Sequence, residues 1–190
     1  MPSFTQFAGL AVVVLSLGYF ANALPVLGNI SLFSDVKLVC NGEDAYSLVI
    51  AKFLLNIEAL IKAIVACGTI ADLKIAVSAL CAHIELCAND LLAVGAGVVV
   101  AAEAKTQIVA CIVGVITLVV RACLAITLKF GLSVCIDIFA QIDIALKSLL
   151  INLDVCIAGI VSIIAHNILS ITVGLLAQLQ LKLCLGVLGL

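Results

Sequence analysis

The sequence predicts an all-α protein: a bundle of about five hydrophobic helices behind an N-terminal signal peptide. Three observations carry this. Hydrophobic residues make up 66% of the 190-residue chain and charged residues only 11%, against about 25% charged in ordinary soluble domains. No proline occurs from Val26 to the C-terminus, which argues against a loop-rich or all-β fold. The segments at helical spacing run over 20 residues without turn signals, too long for strands. The organisation read from these is a signal peptide over 1–23, an irregular lead-in over 24–42, and a single helical bundle over 43–190.

The first element is an address. No charged side chain precedes Asp35, Phe7 to Phe20 is apolar, and Ala21-Asn22-Ala23 fits an A-x-A cleavage site. That is the layout of a secretory signal peptide, although its amino-terminal region lacks Lys and Arg. An uncleaved anchor or core helix is the competing reading, and Pro25 would end such a helix. The lead-in carries Asn29-Ile30-Ser31, a sequon that makes Asn29 a candidate N-glycosylation site; sequons this short also arise by chance.

Asn41 is the expected cap of a first helix from about Glu43 to Ala66. At about 100° per residue, Asp44, Glu58 and Lys62 share one face of it, and a broad apolar face remains. Cys67-Gly68-Thr69 breaks this helix. Thr69-Ile70-Ala71-Asp72 resembles a capping box, with Asp in place of Glu, and opens a second helix to about Leu92. Gly95-Ala96-Gly97 separates it from a third, from about Val98 to Leu128. Lys129 to Ser133 reads as a turn into a fourth helix ending near Asn152. A fifth runs from about Asp154 to Lys182, with a fraying tail behind it. Arg121, Lys129, Asp143, Lys147 and Asp154 fall within about 80° of one another if the 3.6-residue period is carried through. They predict one thin wet edge on otherwise apolar helices. Ala93, Gly97 and Ala101 form a small-residue row at i,i+4, a feature of close helix packing.

The composition also bounds function. Nine Lys and Arg against 11 Asp and Glu give no basic footprint, so nucleic acid is not an expected partner. Mean hydropathy is +1.43, and too few polar side chains exist to cover the outside of a folded domain. Some apolar surface must therefore meet lipid, a second copy of the chain in a homo-oligomer, or another apolar partner. Two segments are long enough to span a bilayer, 107–128 and 155–177. The first contains Arg121, which costs about 2.5–3.5 kcal/mol at a helix centre and is offset by more than ten apolar residues. A two-span hairpin would place Lys129 and Lys147 inside and Lys37, Lys52, Lys62, Lys74 and Lys105 outside, so the positive-inside rule lends it no support.

Nine cysteines, Cys40, Cys67, Cys81, Cys87, Cys111, Cys123, Cys135, Cys156 and Cys184, are candidates for disulfides in a secreted chain. The odd number leaves at least one free or paired between molecules. The alternative is that most are buried thiols acting as small hydrophobes. Cys81-Ala82-His83-Ile84-Glu85-Leu86-Cys87 is the only ligand-rich cluster. His83 and Cys87 share one helical side and Cys81 and Glu85 the other, so the four cannot close one tetrahedron. His166 lines up with Ser162, Ser170 and Gly174 in a polar seam. No G-x-S-x-G, P-loop or G-x-G-x-x-G motif occurs. No catalytic, cofactor-binding or metal residue is assigned, and no cofactor is expected.

The leader MPSFTQFAGLAVVVLSLGYFANA, the proline-free body and segments such as LKFGLSVCIDIFAQIDIALKSLL resemble small secreted hydrophobic cysteine-containing helical proteins of fungi. These are of the basidiomycete type, often called only "transmembrane protein". The chain is also similar in size and layout to the fungal hydrophobic-surface-binding and cell-wall mannoprotein family, whose helical members carry lipids. Its nine cysteines and higher hydrophobicity depart from that family. It does not resemble hydrophobins, which are β-rich and carry a Cys-Cys pair. The expectation is a non-enzymatic secreted or cell-surface protein that associates with lipid, membrane or other apolar surfaces. The alternative is an integral membrane protein of the secretory pathway with two spans.

Overall fold

A computed structural model describes residues 36 and 38–190. The expected signal peptide over 1–23, the sequon at Asn29 and most of the lead-in lie outside the described residues. Seven helices form among those described: α1 Ala45–Ala66, α2 Ile70–Val94, α3 Ala102–Phe130, α4 Leu132–Cys156, α5 Ile160–Asn167, α6 Ser170–Gln178 and α7 Lys182–Leu188. No strand occurs among the described residues. The protein is an all-α bundle, and its first four helices match the four expected.

Local chemistry sets their ends. The cap of α1 is Asp44, not Asn41. The Asp44 carboxylate accepts the amides of Tyr46 at 3.1 Å and Ser47 at 3.0 Å, two of the donors that a helix start leaves without partners. Gly42 sits where a Cβ would run into the Ser47 side chain. Thr69 caps α2 as expected: its Oγ1 accepts the Asp72 amide at 3.1 Å. The Asp72 carboxylate takes the Thr69 hydroxyl at 2.7 Å. Gly131 alone joins α3 to α4. Its φ of 88° is a left-handed value that residues with a Cβ avoid, and it lets the chain turn a corner in one residue. The row Ala93, Gly97 and Ala101 does not share a helix, because α2 ends at Val94 and α3 begins after Ala101.

Hydrogen bonds between helices fix their directions. Asn41 N–H donates to Gln107 Oε1 at 3.0 Å, and Lys129 Nζ donates to the Cys67 carbonyl. Helices α1 and α3 therefore start together and end together. Asn152 Nδ2 donates to the Ala88 carbonyl at 3.1 Å, so α2 and α4 also run side by side, opposite to the first pair. Packing runs α1 to α2 to α4 to α3 and back to α1. This is a square, with the 95–101 connection crossing its diagonal. The square buries Ile50, Ile57, Ile61, Leu73, Leu80, Ile84, Ile112, Ile116, Phe139 and Leu146, spaced at turns of three and four residues along each helix as core faces require.

The expected fifth helix over 154–182 is instead three short ones, so the second candidate span, 155–177, is not a straight rod. Helix α4 runs on to Cys156, and α5 and α6 meet at a bend of 98°. At the bend His166 Nδ1 lies 2.6 Å from the Ser162 carbonyl. Asn167 Nδ2 donates to the Ile163 carbonyl at 2.8 Å. Side chains that return to the backbone in this way compete with helix continuation, and Ile168 leaves the helix at φ −72°, ψ 128°. The break is stabilised by packing. It lets Ile160, Ile164, Ile168, Thr172 and Leu176 return to the bundle and become buried, with α5 and α6 laid on α3.

Candidate apolar contact surface

One described helix, α3, is long and apolar enough to cross a membrane, and 67% of its most apolar stretch is already buried inside the bundle. It lies against α1, α4, α5 and α6. Apart from Leu128 near its end, the large apolar residues left facing outward lie outside α3.

On α1, Leu48 and Leu55 stand seven residues apart on one face, and Leu55 is 80% exposed. Lys52 and Lys62 border them. Lys52 reaches across to Asp90 at 3.2 Å and Lys62 pairs with Glu58 at 3.6 Å. Both pairs are solvated and contribute at most about 1 kcal/mol each. On α4, Ile144, Ile151 and Val155 form a similar exposed row, bordered by Asp137, Lys147 and Asp154. The arm α5–α6 differs in kind. From Val155 to Leu181 the chain carries no Asp, Glu, Lys or Arg, yet Ile163, Leu169 and Ile171 are exposed, Ile171 to 71%. The exposed rows on α1 and α4 have charges beside them; here none are near in sequence.

Between α1 and α2 runs an open groove of about 510 Å³, floored by Ala59, Leu60, Ala79 and Ala82 and edged by Asn56, His83 and Leu86. Alanines at these positions leave the space. His83 is fixed at its edge: Nε2 lies 2.8 Å from the Phe53 carbonyl, which that ring nitrogen meets as a donor, and the ring stacks on Phe53 at 5.0 Å. Cys81 and Cys87 are both buried, and Cys87 shares the His83 side of α2 beside Phe53. Among the described residues no group of three or more His, Cys, Asp or Glu side chains is placed to hold a metal.

The wet edge expected from Arg121, Lys129, Asp143, Lys147 and Asp154 is dispersed by tertiary contacts. Asp143 is buried at 4% exposure and accepts the amides of Leu183 and Cys184, both at 2.8 Å. It caps the start of α7 from another helix. Asp154 accepts the Val161 amide at the start of α5, at 3.3 Å. Lys129 closes the far end of α1 and sits 5.4 Å from the Phe130 ring centre. The seam expected through His166 ends at the α5–α6 bend.

All nine cysteines are buried free thiols. Burial pushes the Cys81 thiol up to about 11 and those of Cys87, Cys111 and Cys184 up to about 12. Cys123 on α3 has Cys81 of α2 and Cys135 of α4 as neighbours, and burial raises it as well. On the packed helix faces, Cys81, Cys87, Cys123 and Cys184 behave as small apolar side chains.

Two residues that hold this surface in place carry no sequence signal. Asp143 is one. The other is Tyr46, fully buried, whose hydroxyl lies between the Gly95 carbonyl and the Cys156 carbonyl, 3.3 Å from the latter. It ties the start of α1 to the ends of α2 and α4. Their partners stand 40 or more residues away, where no local pattern reaches. Comparison with protein-family models, with curated proteins and with solved structures finds no match to this chain.

Proposed function

We propose that this chain is a non-enzymatic, secreted or cell-surface helical bundle that binds lipid, membrane or another apolar surface through its outer helix faces. The observation that carries the reading is the arm α5–α6: charge-free from 155 to 181, bent by 98°, and exposing Ile163, Leu169 and Ile171. Removing one such side chain from water is worth about 1.5–3 kcal/mol. A few acting together suffice for interfacial binding of a folded protein, with no span required. The burial of α3 against its neighbours supports the bundle over a hairpin of two spans, because its apolar surface already has protein partners. The resemblance to small secreted hydrophobic fungal proteins points the same way.

Liposome flotation tests the reading. The full chain, diluted from mild detergent, is expected to rise with phosphatidylcholine vesicles and to be released by alkaline carbonate. Protein that stays at the bottom of the gradient as a monodisperse species overturns it. Protein that resists carbonate favours the two-span alternative.

A further inference from the structure

Cys40 and Cys111 are far apart in sequence and adjacent in the fold. Residues 40–42 lie along the first turns of α3, where the Asn41 amide donates to Gln107 Oε1 at 3.0 Å. Cys111 follows Gln107 by four residues, one turn along the same face. Burial, and then the neighbouring Cys40 thiol, hold the Cys111 thiol above its ordinary value. Cys111 is 1% exposed and Cys40 8%, so Cys40 is the sulfur nearer to solvent.

We propose that Cys40 and Cys111 are a disulfide-forming pair, a covalent clip that ties the lead-in to α3. Disulfides need particular Cα separations and dihedral angles. Cys40 precedes α1 on backbone outside any helix, which can adjust to meet them. Cys81, Cys123 and Cys135 each sit on a packed helix, where adjustment moves the core. The oxidant is a small-molecule disulfide such as oxidised glutathione. The Cys40 thiolate attacks one sulfur of the reagent, forming a mixed disulfide and expelling one reagent thiolate. The Cys111 sulfur, giving up its proton, then attacks Cys40 Sγ and expels the second. Two protein thiols are oxidised, and one reagent disulfide is reduced to two thiols.

The clip closes a long loop in the unfolded chain, which stabilises the folded state by restricting the unfolded one. For a chain of this size the expected rise in melting temperature is on the order of 10 °C. The test treats the full native chain with oxidised glutathione, alkylates the remaining thiols under denaturing conditions, and maps peptides by mass spectrometry. The expected result is one peptide pair joined through Cys40 and Cys111, lighter by two hydrogens than the separate thiols. The remaining cysteines should be alkylated. The melting temperature should rise on oxidation in the wild type and not in Cys40→Ser, a substitution outside the helices. No joined pair, Cys40 linked to the reagent or to a different cysteine, a joined pair without a rise in melting temperature, or a rise that persists in Cys40→Ser would each overturn the proposal.

Discussion

Asp143 is a buried carboxylate on α4 whose two oxygens hold the first amides of α7. Hydrogen bonds to a charged acceptor are worth about 1.5–3 kcal/mol each, and leaving buried donors without partners adds to the loss. Asp143→Ala should therefore lower unfolding stability by roughly 2–4 kcal/mol, measured by denaturant unfolding in mild detergent; a change within error would show that water replaces the carboxylate at no cost. The cysteines make a second prediction. Cys87 and Cys184, 3% and 0% exposed, have thiols raised to about 12 in the folded state from an ordinary value of 9.0. Between those values the unfolded chain has released protons that the folded chain keeps. Stability is then complete below about pH 9 and falls as pH rises toward 12, at about 1.4 kcal/mol per pH unit for each such thiol. Unfolding under reducing conditions at pH 7 to 10.5 should show the decline above pH 9. Replacing Cys184 by Ala should make the decline shallower.

At the scale of elements, the four long helices are legible because their stops are local. Thr69 with Asp72, the glycines at 95 and 97, and Gly131 each act on backbone within a few residues. Thr69→Ala should cost about 1 kcal/mol through the lost cap, read as a lower denaturant midpoint with an unchanged slope. Asn41→Ala should cost much less, since the Asn41 contact to Gln107 is made by its backbone amide and the α1 cap belongs to Asp44. Equal losses in the two variants would return the cap to Asn41. The α5–α7 arm is not legible. Nothing near His166 and Asn167 demands a stop as proline would, and the apolar periodicity runs on through Ile168. What ends α5 is the chance to bury Ile160, Ile164 and Ile168 on the bundle, which is a tertiary gain. Asp143 is hidden for the same reason. A charge at helical spacing reads as solvated, and its partners lie 40 residues on.

Across the whole molecule, the shortage of charge is resolved in two ways. The most apolar helix, α3, is enclosed by α1, α4, α5 and α6, so much of the hydrophobic composition is ordinary core. The remainder faces outward as Leu48, Leu55, Ile144, Ile151, Leu169 and Ile171, and no fold of this composition can hide all of it. A net charge of −2 offers little repulsion against association. Without detergent or lipid the chain should therefore form mixed assemblies, and phosphatidylcholine or mild detergent should convert these to a defined species. The melting temperature should rise as the ligand binds the folded state alone. Two substitutions separate surface from core. Ile171→Lys places charge where the side chain is 71% exposed. It should leave helicity within about 10% of wild type and reduce vesicle flotation about tenfold or more, the equivalent of losing one buried Ile. Ile164→Lys places it where the side chain is fully buried, and should unfold the arm or the whole bundle. If Ile171→Lys floats as well as the wild type, the arm is not the contact surface, and the rows on α1 and α4 become the ones to charge.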